Sequence, residues 1–165
     1  MGREDEVAFE RLMDVHRAVL GRVVECYADT RADREDLSQE IGLALWRALP
    51  GFRGDCSERT FLVRIAHNRG VDFLVRRRRS ATAPEADCED LRPGPEDATG
   101  ARERRELLFT ALRTMPVGFR QVLALALEDL DHREIAEVVG ITPENVAVRL
   151  SRARDMLRQK MRKVQ

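Results

Sequence analysis

Arginines at positions 149, 152 and 154 follow the short stretch Gly140-Ile141-Thr142-Pro143-Glu144-Asn145. Guanidinium groups donate in pairs to phosphate oxygens or to the acceptor edge of guanine. Ser151 adds a hydroxyl that can donate to phosphate. The residues before these donors predict how they are held. Thr142 can cap a helix, and Pro143 fits its first turn, where a missing N–H costs nothing. Gly140 can take the positive φ that ends a preceding helix. Asp131 and Glu134 have the spacing of a capping box, which starts that preceding helix and carries it through Val139. Ala136 is small enough to let the two helices cross closely, and Ile141, Val146 and Leu150 face inward. A short helix, a glycine turn and a second helix with arginines on its outer face form a helix-turn-helix of the kind that enters the major groove. Glu144, Asn145, Ala147, Val148, Arg149, Ser151, Arg152 and Arg154 lie on its exposed arc and margins.

The charge of the 165-residue chain sums to zero but is segregated. Residues 1–52 hold 7 Arg against 11 acids, and residues 53–79 hold 8 Arg against 3 acids. Residues 80–102 hold 2 Arg against 6 acids, and residues 103–140 hold 5 Arg against 7. Residues 141–165 hold 7 basic residues against 2 acids. Two basic zones among acidic ones suit a protein that touches nucleic acid at two places and another protein elsewhere.

The rest of the sequence must position these groups. Aromatic residues make up 5% of the chain, and Arg, Ala, Leu and Glu dominate, which favours helix over strand. No apolar run approaches the roughly 18 residues of a membrane span. The polar, acidic first ten residues do not read as a secretory signal. Cys26, Cys56 and Cys88 are odd in number, widely spaced and without a C-x-x-C pair, so they read as reduced thiols in a cytosolic protein. His16, His67 and His132 lack metal-ligand spacing, and His16 and His67 read as partly buried or surface helix residues. No glycine-rich phosphate loop or nucleophile elbow is present. No metal, cofactor or catalytic function of its own is expected.

Residues 80–101 read as a linker, because Pro84, Pro93, Pro95, Gly94 and Gly100 oppose a continuous helix there. The expected fold is all-α, with two small helical domains over residues 1–79 and 102–165. In the first, Phe9, Leu12, Met13, His16, Val19 and Leu20 recur at helical spacing. A second helix is expected to start at Asp33 as its cap and to end before Pro50, burying Leu37, Ile41, Ala44, Leu45 and Ala48. Asp36, Glu40, Leu43 and Arg47 share a different face, where Leu43 among charges marks a partner surface. A third helix is expected after Ser57, with Phe61, Leu62, Ile65, Ala66 and Phe73 inward. Arg64, Asn68, Asp72 and Arg76 fall outside, and four arginines close it. Positive charge suits a helix C-terminus, but four in a row exceed that need and repel unless anions lie nearby. In the second domain, Leu107, Leu108, Ala111 and Leu112 predict a helix stopping before Pro116. Val117 to Leu130 predicts the next.

With these residues in view, the chain resembles an extracytoplasmic-function sigma factor of the sigma-70 family. The resemblance rests on Ala32 to Glu40, Leu45-Trp46-Arg47-Ala48-Leu49, Phe52 to Asp55, Arg59 to Asn68, Asp72 and the arginine run, which look like region two. It rests also on Met115 through Arg154, which look like region four. It implies a transcription initiation factor that binds core RNA polymerase and directs it to promoters. Polymerase would be held by Asp36, Gln39, Glu40 and Leu43 at its clamp helices, with further contact at its flap. The −10 element would be opened and held by Arg53, Asp55, Arg59, Arg64, Asn68, Arg69, Arg76 and Arg77. The −35 element would be read in duplex form by Thr142, Glu144, Asn145, Arg149, Ser151, Arg152 and Arg154. An anti-sigma protein clamping between the domains is a further implied partner, and the acidic linker would thread through polymerase. The family usually has an aromatic at Glu58, a tryptophan at Phe61, and a basic and a small polar residue at Ala147 and Val148. Reading would then rely more on Arg149, Arg152 and Arg154, or on DNA shape. The alternative is a helix-turn-helix regulator that is not a polymerase subunit.

Overall fold

The structure is a computed structural model that describes residues 3–80 and 100–162. These residues form α1 (Arg3–Val15), α2 (Arg17–Tyr27), α3 (Arg31–Ala48), a 3₁₀ turn (Leu49–Gly51) and α4 (Glu58–Ser80). Further along the chain come α5 (Gly100–Arg113), α6 (Val117–Leu127), α7 (His132–Val139) and α8 (Pro143–Arg162). No strand occurs among the described residues. Cys88 and the prolines of the expected linker lie outside them.

Local chemistry explains most helix ends. The apolar pattern from Phe9 to Leu20 is divided between two helices, because His16 leaves helical geometry at φ −105° and ψ 12°. α3 begins two residues earlier than expected. Thr30, not Asp33, is its N-cap, and the Thr30 hydroxyl accepts from the Asp33 amide. The Asp33 carboxylate accepts in return from the Thr30 amide at 3.1 Å, so Asp33 is the third residue of a capping box. Pro50 ends α3, as expected. Ser57 caps α4 by accepting from the Thr60 amide at 3.0 Å. Gly100, expected to oppose a helix, opens α5. α6 stops at Leu127, three residues short of expectation, because Asp129 takes a positive φ of 59°.

The packing centre of the first half is α4, which lies along α2 and α3. Leu62, Val63, Ala66, Phe73 and Leu74 meet Val23, Val24, Leu37, Ile41 and Leu45 in one buried cluster. Gly70 faces the Tyr27 ring so closely that a Cβ there would overlap it. Phe109, Leu112, Met115, Val122, Leu123, Leu125, Ile135, Val146 and Leu150 form the core of the second half. The two halves are in contact: α2 touches α5 and α6, and α4 touches α6 and α7.

His67 was expected to be partly buried but is 2% exposed. Its Nδ1 and the Tyr27 hydroxyl share a hydrogen bond of 2.6 Å. Burial lowers the His67 pKa from 6.5 to about 4 and raises that of Tyr27 well above its ordinary value. Both groups are therefore neutral in the fold. The unfolded chain gains a proton on His67 as pH falls below about 6.5, whereas the folded chain does so only near 4. Stability from this group is complete above the unfolded value and is lost as pH falls through that window. Urea unfolding should show a loss of up to about 3 kcal/mol between neutral pH and the folded value. His67→Gln should flatten that dependence, and an unchanged slope would remove His67 as its source.

Candidate nucleic-acid interface

The helix-turn-helix forms as its local sequence dictates. Asp131 caps α7 by accepting from the amides of Arg133 and Glu134 at 2.8 and 2.9 Å, and these bonds lower its pKa. The Glu134 carboxylate accepts from the Asp131 amide at 2.9 Å. Gly140 has φ 74°, and the Gly140 and Ile141 amides both return to the Ala136 carbonyl, at 2.8 and 3.1 Å. Thr142 accepts from the Asn145 amide at 3.3 Å. Glu144 is held below its ordinary pKa by its own amide and by the Thr142 hydroxyl.

On α8, Val146, Leu150 and Ala153 are buried against the rest of the second half. Thr142, Glu144, Asn145, Ala147, Val148, Ser151, Arg152 and Arg154 are exposed. Arg149 stands apart from this group. It is half-buried, and its Nη1 lies within 3.4 Å of where a Cβ on Gly118 would stand. It therefore belongs to the margin of the outer face, braced on α6. The face offered to a duplex is centred on Ser151, Arg152 and Arg154, with Asn145 and Glu144 at its amino end.

The basic residues of the first half are spread along α4 and the loop before it. Arg53 and Asp55 are exposed in that loop, where Gly54 has φ 80°. The Phe52 and Phe61 rings stack at 4.5 Å between centroids, which ties the loop to α4. Asn68 and Arg69 are exposed, with Arg69 3.7 Å from Asp72. The arginine run does have anions nearby. Arg76 pairs with Glu40 at 2.5 Å, and Arg77 pairs with Asp33. Both acids come from α3, so part of the run serves to hold α4 on α3. Arg59 and Arg64 point the other way, toward acids of the second half: Arg59 to Glu128 at 3.0 Å and Asp129 at 3.5 Å, Arg64 to Glu137 at 3.6 Å.

The acidic face of α3 adjoins the basic face of α4. Asp36 and Gln39 are exposed, and Leu43 is 56% exposed. Glu40 is half-buried under Arg76. An open groove of about 620 Å³ runs beside this face, lined by Leu43, Arg47, Ile65 and Arg69 among others.

Sequence reading missed the polar residues between the halves. Glu128 is 3% exposed and accepts from Arg22 Nε and Nη2 at 2.7 and 2.8 Å. These bonds raise the Arg22 pKa. Arg120, also buried, donates to the carbonyls of Cys26, Met115 and Arg113. Its pKa is lowered by burial. Arg113 donates to the Glu25 carbonyl at 3.2 Å. One signal was available: Glu128 directly follows the apolar run from Val122 to Leu127, where an acid drawn into the core needs a buried partner. Cys26 is buried beside this contact, its thiol pushed up to about 12 by burial, while Cys56 is half-buried. Among the described residues, no group of three or more His, Cys, Asp or Glu could hold a metal. No helix there is long and apolar enough to cross a membrane.

The family models for sigma-70 region 2 and sigma-70 region 4 match residues 9–80 and 105–157 respectively. The chain belongs to the sigma-70 family. It is 29% identical over 169 residues to the ECF RNA polymerase sigma-E factor of Escherichia coli K12, covering 95% of this chain and 88% of that one. It is 28% identical over 160 residues to the RNA polymerase sigma factor NccH of Alcaligenes xylosoxydans xylosoxydans, covering 93% of this chain and 86% of that one. CnrH, solved in complex with the cytosolic domain of CnrY, shares the fold at TM-score 0.68 and 24% identity, over 96% of this chain and 90% of that chain. The sigma factor RpoE of Bartonella quintana, solved with the anti-sigma factor NepR, shares it at TM-score 0.71 and 18% identity, over 93% and 95%. The region 4 match contains α6, α7 and most of α8, and the region 2 match contains α2, α3 and α4.

In this sigma-70 chain the angle between α7 and α8 depends on Gly140. Gly140→Ala should cost about 1–2 kcal/mol in thermal or urea unfolding, because an L side chain is strained in the left-handed region. Gly140→Asn should cost less, since asparagine tolerates that region. Equal losses for the two would refute the backbone explanation.

Proposed function

We propose that the protein is a promoter-specificity subunit of bacterial RNA polymerase. The observation that carries this reading is the order of two matched units in one chain: a region 2 unit with adjoining acidic and basic faces, then a region 4 helix-turn-helix. A stand-alone helix-turn-helix regulator has no use for the exposed acidic face of α3 beside the basic face of α4. The domains are assigned as 1–79 for polymerase binding and −10 recognition, 80–101 as linker, and 102–165 for −35 recognition.

The roles follow from the chemistry of each face. Asp36, Gln39, Glu40 and Leu43 dock on the clamp helices of core polymerase, combining charge with one exposed apolar contact. Thr142, Glu144, Asn145, Ser151, Arg152 and Arg154 enter the major groove of the −35 element, with Arg149 as a bracing residue at the edge. Arg53, Asp55, Arg59, Arg64, Asn68, Arg69, Arg76 and Arg77 follow the single strand of the opened −10 element. There, positive charge tracks phosphates and pockets receive unstacked bases. The chain performs no bond chemistry of its own; the polymerase catalyses transcription. It works in the cytoplasm, where polymerase and promoter are found. An anti-sigma factor is an expected partner, as solved relatives are complexes with the cytosolic domain of CnrY and with NepR.

Pull-down with core polymerase, followed by promoter mapping on transcripts from the reconstituted enzyme, tests the reading as a whole. Failure to bind polymerase alongside tight duplex binding would overturn it. Asp36→Arg should weaken assembly with polymerase while leaving helical content unchanged. Normal assembly of that variant would refute the docking role. Arg152→Ala should cost about 1–3 kcal/mol of promoter binding and relax specificity at one base if it reads that base. A uniform loss across sequences, with the salt slope reduced by about one unit, would reassign it to phosphate.

A further inference from the structure

We propose that Val148 selects a thymine in the −35 element through the C5 methyl group of that base. This inference rests on the assignment of α8 to that element, and it goes further by naming one base and the contact that chooses it.

Val148 is 49% exposed, and among the described residues of α8 it is the one large apolar side chain on the outside. It stands off the inward stripe, where Val146, Leu150 and Ala153 are buried. Residues three and four positions away are its neighbours on the helix surface. These are Glu144, Asn145, Ser151 and Arg152, all polar and all exposed. Val148 therefore occupies the centre of the face offered to the duplex, not its edge. Whatever covers Asn145, Ser151 and Arg152 covers Val148 as well. Its exposed neighbour Ala147 brings neither a donor nor bulk that would hold the groove away. The β-branched side chain gains nothing from helix propensity at this position.

The charged groups nearest to this spot are committed elsewhere. Glu144 is drawn back to the start of α8, where its own amide and the Thr142 hydroxyl hold its carboxylate and lower its pKa. Arg149 is half-buried and lies toward Gly118 of α6. The centre of the face is left to an apolar contact.

In the major groove the thymine C5 methyl is the apolar feature among base edges that otherwise show donors and acceptors. A valine pressed on an amino group or a ring nitrogen strips it of water and returns no hydrogen bond. Pressed on the methyl, it buries apolar surface on both partners. One side chain thus favours thymine and disfavours bases that present polar groups in its place. One helical turn separates Val148 from Arg152, about 6 Å along the axis. Base pairs rise about 3.4 Å per step. The two side chains therefore meet nearby base pairs, Arg152 by donating and Val148 by apolar contact.

The test uses holoenzyme reconstituted from the full chain and core polymerase, on a promoter mapped with that enzyme. Each thymine of the −35 element, on either strand, is replaced in turn by deoxyuridine, which removes only the methyl group. Holoenzyme binding is compared by competition with the unmodified duplex. One replacement should weaken binding about fourfold, the scale of burying a single methyl group. Val148→Ala should weaken binding to the unmodified duplex by a similar factor and abolish the penalty of that one deoxyuridine. Alanine suits an exposed helical position, so the variant keeps its helical content. Val7→Ala, at an exposed valine of α1, should keep the penalty in full. Full-strength binding of every deoxyuridine duplex, an undiminished penalty in Val148→Ala, or an element without thymine on either strand would overturn the proposal and leave the −35 assignment in place. Holoenzyme binding that does not depend on the −35 element would remove that assignment, and the proposal with it.

Discussion

The approach of α2 to α4 governs the rest of the molecule. Gly70 lies directly against the Tyr27 ring, so the two helices sit as close as a glycine allows. That closeness places the Tyr27 hydroxyl on His67 and buries both without charge. It also decides what α4 can present elsewhere. With Leu62, Val63, Ala66 and Leu74 committed to the core, the remaining arcs carry Arg59 and Arg64 on one side and Arg76 on the other. A larger residue at 70 would move α4 outward and shift each of these groups relative to α3 and to the second half.

The same helix pair supplies the ground on which the second half rests. The carbonyl end of α2 is a site of partial negative charge. Arg113 and Arg120 donate to the carbonyls of Glu25 and Cys26, and Arg113 also lies 3.7 Å from the carboxylates of Glu25 and Asp29. At the other end of the contact the polarity reverses, and acids of α6 and α7 meet arginines of α2 and α4. An interface with opposed charges at both ends has a defined register, and apolar residues of both halves, Val23, Leu108, Phe109 and Ala124 among them, meet there as well. Such contacts resemble the reversible docking of separate domains.

Much of the fold was legible because its signals are local. The Asp131–Glu134 capping box, the turn at Gly140, the Thr142 cap and the stop at Pro50 each involve residues within a few positions of one another. The apolar stripes of α3 and α8 were readable by their periodicity. Errors fell where two local readings competed or where a distant partner decided. Thr30 and Asp33 can both cap α3, and they share the task reciprocally. The helical spacing through His16 hid a break, because periodicity persists across a short kink.

By itself the sequence determined an all-helical chain, the helix-turn-helix and the arginine-rich end of α4. It could do so because capping, turn conformation and amphipathic spacing are properties of neighbouring residues. Only the tertiary structure decided which arginines are neutralised and by what. Arg76 and Arg77 meet acids of α3, while Arg59 and Arg64 meet acids of the second half. Ion pairing depends on separations of a few ångströms between segments far apart in the chain, and those distances exist only after the helices have packed.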